Sequence, residues 1–341
     1  MFDRRGPVRW WWPQQTTITD PNVVRVGRVR TVVISDGAVC WDERPEPVPG
    51  RDELLVRVEA AGINRADLLQ QAGRYPPPPG VPTDQPGMEC AGVVEEVGSQ
   101  VRAFAPGDRV MGLLGGAAQA ELAVLHERLT LAVPSAMPMA EAGAFPEVFC
   151  TAHDALFSQA GLAMGERLLV TGAAGGVGMA GVQLGVCTGA SVVASARDPE
   201  VHERLAALGA TSAVPAEAFA LGPFDVVLEL VGGDSLPGAL ACLAPGGRLV
   251  VIGTGAGSRC EIDMSLIMNR RATIMGSTLR ARALEDKASV SRAVQRHVLP
   301  LVERGRIKVA VAATFPFEQV QEAYQRFASG RKFGKIVLTR S

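Results

Sequence analysis

The stretch from Leu168 to Ala196 carries no charged residue and seven glycines, and it limits the architecture more than any other part of the chain. Its length and hydropathy alone would suit a membrane-spanning helix of about 20 residues. Glycines bunched at Gly172, Gly175, Gly176 and Gly178 argue against that, because they place turn signals inside the supposed span. A strand, a tight turn, a helix and a second strand, all buried in an α/β protein, fit better. The order RLLV, TGAAGGVG, apolar helix and SVVAS matches that pattern. No membrane partner is expected.

A turn of this kind suits a diphosphate. Without β-carbons at Gly175 and Gly176, the backbone from Ala174 to Val177 approaches an anion closely, and the positive end of the following helix stabilises its charge. Gly178 lets the helix pack tightly on the strand. The spacing departs from Gly-x-Gly-x-x-Gly because Ala174 precedes the double glycine, so a turn that merely packs is the alternative. Where an acid would bind the ribose 2′-hydroxyl of NAD stand Ser195, Ala196 and Arg197. A hydroxyl and a guanidinium suit a 2′-phosphate, since Arg pairs with phosphate oxygens bidentately. NADPH is the expected cofactor, with Asp198 partly offsetting Arg197 and a solvated surface Arg as the plainer reading.

At 341 residues the chain suits two domains with a cleft between them. Lys plus Arg number 34 against 35 Asp plus Glu, without a long basic block, which argues against nucleic acid as a principal partner. Six scattered cysteines form no Cys-x-x-Cys pair, and the opening MFDRRGPVRWWWPQQ has no apolar run of a secretory signal. Cytoplasmic residence is therefore expected. Residues 1–28 show no periodicity and read as a disordered extension. Thereafter TVVIS, Leu54 to Gly62, Ala91 to Gly98 and Gly107 to Leu114 are β-rich runs separated by Pro and Gly. Between two of them the four prolines of Gly73 to Gly80 predict a stiff polyproline-like loop.

From Leu168 strands and helices alternate as in a doubly wound parallel sheet. A long amphipathic helix is predicted from Leu284 to Glu303, then a strand near Val309, a helix from Glu318 to Ala328 and a final strand KIVLT returning to the first domain.

Taken in order, AGINRADLLQQAGRYPPPPG, PGMECAGVVEEVG, GDRVMGLL, PEVFCTAHDALF, TGAAGGVG and GSTLRARALEDK resemble the zinc-free NAD(P)H quinone oxidoreductase branch of the medium-chain dehydrogenase/reductase superfamily. The likeness runs from about residue 30 to 341 and is closer to the p53-inducible type than to the zeta-crystallin type. It implies an α/β protein with a GroES-like, β-rich catalytic domain from 29–149 and 284–341. A Rossmann domain with a doubly wound parallel sheet would occupy 150–283, and a quinone would meet the nicotinamide between the two. A homodimer through the edge strand around Ala272 to Leu279 is implied as well. Zinc-dependent relatives have Cys and His where Asn64 and Met88 stand here. An amide and a thioether are poor zinc ligands, and the four-cysteine structural cluster is missing, so no metal is expected.

The resemblance also distributes roles. Asn64 would line the substrate pocket and donate to a carbonyl oxygen, with Asp67 nearby, although an Asn ahead of a short helix also fits a cap. Tyr75 in the proline loop would stack on or hydrogen-bond a planar acceptor, or simply pack. Thr151 matches the position that bonds the nicotinamide carboxamide, or it bonds its own preceding carbonyl. The strand ends at Gly253 and Thr254 and at Ser277, Thr278 and Leu279 would reach the cofactor, as would Phe333 and Lys335. Lys335 would meet phosphate or be a surface charge. A second Lys on the 2′-phosphate, aligned to Glu200 and Val201, is missing. His126, His153, His202 and His297 read as structural.

Without a Lewis acid, hydride transfer rests on proximity in a dry pocket and on donors aimed at the developing oxyanion. Quinones take protons from water, so no strong acid is demanded and none is evident in the sequence. An NADPH-dependent enoyl reductase is the first competing function, and an acid beside the nicotinamide would favour it. The other is a non-catalytic, crystallin-like NADPH-binding protein.

Overall fold

The structure, a computed structural model, describes residues 27–340. The expectation for residues 1–26 lies outside the described residues, whereas Arg28, read as part of the extension, already opens a strand. Strands β1 (Arg28–Ser35) and β2 (Ala38–Pro45) form an antiparallel hairpin. Its turn holds Asp36 and Gly37 at φ of 50° and 75°, the positive angles that a two-residue hairpin of this hand requires.

The first large sheet is built around β3 (Glu53–Gly62), followed in the chain by β4 (Glu89–Val97), β5 (Arg109–Leu113), β6 (Leu122–His126) and β7 (Thr130–Ala132). β3 is antiparallel to both β4 and β6. Its burial reaches both faces because the sheet is covered on each side.

The chain then enters a second, six-stranded sheet of β8 (Arg167–Val170), β9 (Ser191–Ser195), β10 (Thr211–Ala213), β11 (Phe224–Glu229), β12 (Leu243–Val251) and β13 (Thr273–Gly276). The order is β10-β9-β8-β11-β12-β13, with every pairing parallel. The uncharged stretch resolves into β8, a turn, the helix Gly176–Thr188 and β9, as its glycines predict. Strand order reverses at β8, so the turn leaving its carboxyl end opens into the crevice where ligands of such sheets bind. No helix of the described residues is long and apolar enough to cross a membrane.

The expected long helix is two, Leu284–His297 and Leu299–Glu303. Pro300 lacks the N–H that an unbroken helix would need. The last strands, β14 (Val311–Pro316) and β15 (Lys335–Thr339), pair in parallel, and β15 lies antiparallel to β3 with Val337 opposite Gly62. This return of the tail completes the seven-stranded sheet and brings Lys335 to the crevice between the two sheets.

Candidate active site

The glycine turn is tightly constrained. Gly172 has φ +59°, and a β-carbon at Gly178 would lie 2.6 Å from the Gly172 carbonyl oxygen and 2.7 Å from the Ala173 Cα. Only glycine lets this helix sit so close to its strand. Gly175 precedes the helix without a side-chain cap, leaving the first N–H groups free at its positive end. The turn is anchored by bonds from Ala173 N to the Ser195 carbonyl (3.0 Å) and from Gly334 N to the Ala174 carbonyl (3.2 Å). Gly176 is overlaid from the other side. A β-carbon there would be 2.8 Å from both Val148 Cγ1 and Lys335 Cδ, so the helix Pro146–His153 and β15 close over the turn.

Past Gly176 the Lys335 side chain ends on three oxygens: the Ile63 carbonyl at 3.0 Å, Asn64 Oδ1 at 2.5 Å and Glu89 Oε1 at 2.6 Å. Lys335 is 4% and Glu89 0% exposed. Asn64 Nδ2 also donates to Glu89 Oε1 (2.9 Å), and Glu147 N donates to Glu89 Oε2 (2.8 Å). Gly62 makes room for this carboxylate, since a β-carbon there would contact it and lie 2.8 Å from the Gly143 carbonyl oxygen.

The reading of Lys335 as a surface charge is thereby corrected, because its ammonium is buried among compensating oxygens. The Asn64 amide accepts from Lys335 and donates to Glu89. Asp67 is corrected too. Its carboxyl is fully buried, accepts from Asn64 N (2.7 Å) and Gly87 N (3.0 Å), and is pushed up to about 6 by burial. It clamps the loop that carries Asn64.

Next to this triad, its backbone bonded to Glu89, is Glu147, half-buried on the helix Pro146–His153. Burial, reinforced by the nearby Glu89 carboxylate, pushes its carboxyl up to about 7. An acid is therefore present where none was evident from sequence. Thr151, one turn along, donates to Glu147 Oε1 in a long bond of 3.5 Å, not to its own backbone carbonyl. Arg280 is buried and crosses from β13 to the first sheet, where it bonds Gln70 Oε1 (2.6 Å) and the Gly115 carbonyl (2.7 Å). Its guanidinium lies 5.4 Å from the centre of the Tyr75 ring, a cation–π contact that fixes the ring at the cleft. Burial and the charge of Glu147 raise the Tyr75 phenol. Leu113, Leu114, Leu129 and Leu279 form apolar walls beside Glu147 and Arg280.

The remaining positions divide. Ser195 is buried at the end of β9, whereas Arg197 is exposed. Asp198 caps the following turn by accepting from Glu200 N (3.1 Å). Gly253 packs so closely on the Leu230 backbone that no side chain fits, and Thr254 beside it is exposed. Ser277 accepts from Arg282 (2.6 Å) and donates to Asp154 Oδ2 (3.1 Å), while Thr278 is exposed. Phe333 is buried under the Arg204 guanidinium, 4.0 Å from its ring centre. Two of the histidines pair with each other, His153 Nε2 and His297 Nδ1 being 3.0 Å apart, and burial pushes His153 down to about 4.

Sequence reasoning missed Glu89, Glu147 and Arg280. All three lie inside motifs that carry the resemblance, PGMECAG, PEVFCTAHDALF and GSTLRARALEDK, and that position was the available signal.

Residues 50–158 match the alcohol dehydrogenase GroES-like domain family, and residues 206–338 match the zinc-binding dehydrogenase family. The chain is 31% identical over 306 residues to quinone oxidoreductase-like protein 2 of Bos taurus, covering 86% of this chain and 87% of that one. It is 35% identical over 315 residues to the spectinabilin polyketide synthase system protein NorB of Streptomyces orinoci, where it spans only 14% of that protein. Among solved structures, the CurK enoyl reductase superposes with a TM-score of 0.80 at 26% identity, over 92% of this chain and 99% of that one. With both domains matched in order, the glycine turn at the strand reversal and a likeness to quinone oxidoreductase-like proteins along most of its length, the chain belongs to the medium-chain dehydrogenase/reductase superfamily of pyridine-nucleotide-dependent oxidoreductases.

Proposed function

We propose that this chain is an NADPH-dependent quinone oxidoreductase that transfers a hydride to its acceptor without a metal. The observation that carries the reading is the cleft between the glycine turn and Tyr75, with the Lys335 ammonium seated among the oxygens of Asn64 and Glu89. Zinc does not fit there. The ammonium already sits against the amide and carboxylate oxygens, a second cation beside it would be repelled, and Met88 adds only a thioether.

A dinucleotide fits the turn, where the N–H groups opening the helix Gly176–Thr188 have no side-chain cap and a β-carbon at Gly176 or Gly178 would crowd its neighbours. The bound cofactor supplies the hydride. The chain supplies the rest: the backbone from Ala174 to Val177 for the diphosphate, Thr151 for the carboxamide, leucine walls to exclude water, and the Tyr75–Arg280 stack for a flat acceptor. The triad ties the end of β3 to β4 and β15 within the first sheet, beside the turn.

Arg197 supports NADPH over NADH, because it is exposed and the Asp198 carboxylate beside it is occupied as a cap. With 1,2-naphthoquinone as acceptor, the expected KM is lower for NADPH than for NADH. Arg197→Ala should raise the NADPH value about tenfold, near 1.4 kcal/mol, and leave the NADH value within about twofold. A wild-type preference for NADH would refute the cofactor assignment. Dinucleotide binding with no turnover on quinones or enones would favour the crystallin-like, non-catalytic reading instead. Enoyl reduction is favoured as a second reading by one observation, the Glu147 acid in the cleft.

We place the catalytic domain at 29–149 with 284–341 and the cofactor domain at 150–283, the first boundary falling inside the helix Pro146–His153. Among the described residues the edge strand β13 pairs only with β12, and beside it Met264 and Met268 are 65% and 74% exposed, with Ile274 at 38%. An open strand edge flanked by apolar side chains suits a second copy of the chain across a two-fold axis. Light scattering is expected to give twice the 35.8 kDa chain mass, and Ile274→Lys is expected to give the monomer. A monomeric wild type would remove the dimer. The free thiols are compatible with residence in the cytoplasm, which belongs to the same proposal.

A further inference from the structure

Among the described residues no cation forms an ion pair with the Glu147 carboxyl, and its one side-chain hydrogen bond is the long one from Thr151, whereas the neighbouring Glu89 is held by Lys335. Val148, the residue after Glu147, lies against Gly176 of the cofactor turn. Arg280 and Leu279 line the same small cavity, and Tyr75 is stacked on Arg280. The carboxyl thus stands between the residues assigned to the nicotinamide and those assigned to the acceptor.

We propose that Glu147 is the acid that protonates the acceptor, so that conjugated carbonyls needing a proton on carbon, such as enones and enoyl thioesters, are substrates of this cleft. The inference rests on the hydride-transfer reading above. A hydride from the reduced nicotinamide forms a C–H bond at the acceptor β-carbon, and the carbon–carbon π pair moves to the α-carbon. The Glu147 O–H bond breaks, and its proton bonds that α-carbon. The dinucleotide is left oxidised, the acceptor gains two electrons and two hydrogens, and the carboxylate regains its proton from solvent at its open side.

The groups facing Glu147 set its proton affinity. Glu89 on β4 and Asp67 on the helix Arg65–Gln71 raise it, while Lys335 on β15 and Arg280 after β13 lower it, and burial outweighs them. Tyr75 and Cys150 stay protonated, since both are shifted upward. Lys287 lines the same cavity, and burial lowers its affinity for a proton.

The test compares wild type with Glu147→Gln, using NADPH with a simple enone and, separately, with 1,2-naphthoquinone. For the enone, wild-type kcat/KM is expected to be level at low pH and to fall above about pH 7, because the acid works only while protonated. Glu147→Gln should lose about 100-fold in that value and lose the pH limb. Quinone reduction, which draws protons from water, should lose far less than enone reduction does and should show no fall above about pH 7 in either protein.

A second readout needs no turnover. The folded-state proton affinity of Glu147 is raised, so its contribution to stability is present at low pH and lost as pH rises through about 7. The melting points of the two proteins should therefore agree at pH 5 and separate by about 2 °C, in favour of Gln, at pH 8.5. Unchanged enone turnover in Glu147→Gln, or a melting difference that does not vary with pH, overturns the proposal. A wild type that reduces quinone but no enone overturns it while leaving the hydride-transfer reading intact. A wild type that reduces neither acceptor overturns both.

Discussion

Replacing Lys335 with Met is expected to lower the melting point by about 5 °C or more, corresponding to roughly 3–5 kcal/mol of lost stability. Lys335 and Glu89 are buried together, with the ammonium 2.6 Å from the carboxylate. Met keeps most of the stem that crosses Gly176 and removes only the charge. Glu89 is then left ionised in a place water does not reach, and the cost of that unpaired charge dominates over any packing change. The double variant Glu89→Gln with Lys335→Met should recover most of the loss, because neither charge remains to be compensated. Thermal melts of the wild type, the single variant and the double variant decide this. A single variant melting within 1 °C of wild type, on the scale expected for about 0.5 kcal/mol, would mean that the triad does not fasten β15 to β3 and β4.

Gly178→Val is expected to weaken dinucleotide binding by at least about 100-fold, near 2.8 kcal/mol. The atoms a β-carbon would meet are all backbone: the Gly172 oxygen at 2.6 Å, the Ala173 Cα at 2.7 Å and the Ala173 carbonyl carbon at 2.9 Å. None can swing aside as a side-chain tip would, so the helix Gly176–Thr188 must move off β8. Its N-terminal N–H groups then no longer converge on one anion, and the helix dipole no longer points at it. Fluorescence titration with NADPH measures the loss. Retention of wild-type affinity would show that the turn is not where the diphosphate sits.

Much of the architecture was legible because its signals are local. Glycines at 172, 175, 176 and 178 announced a turn, and β8, the helix and β9 follow around it. The prolines from Pro76 to Pro79 announced an irregular loop, and no strand or helix forms there. The predicted helix from Leu284 to Glu303 failed only at Pro300, a break that the residue itself signalled.

The site was legible as a list of positions and much less as chemistry. Asn64, Glu89 and Lys335 are up to 271 residues apart in the chain. Lys335 reads in the sequence as a phosphate contact or a surface charge, because nothing near it in the chain announces the buried carboxylate it meets. The resemblance put Asp67 near the substrate pocket, three residues after Asn64. In the folded chain that spacing makes it a clamp on the Asn64 and Gly87 backbones. Glu147 carried no sequence signal of its proton affinity, and His153 and His297 gave no hint of their contact across 144 positions.

What the sequence by itself determined was the alternation of strands and helices, the anion-ready turn and the family, since glycine freedom, proline rigidity and apolar periodicity act over a few neighbouring residues. Only the tertiary structure decided which charges are shut away together, which carboxyl keeps its proton and which is held by a lysine. Those properties depend on the exclusion of water and on partners delivered by distant strands, and no short window of residues contains either.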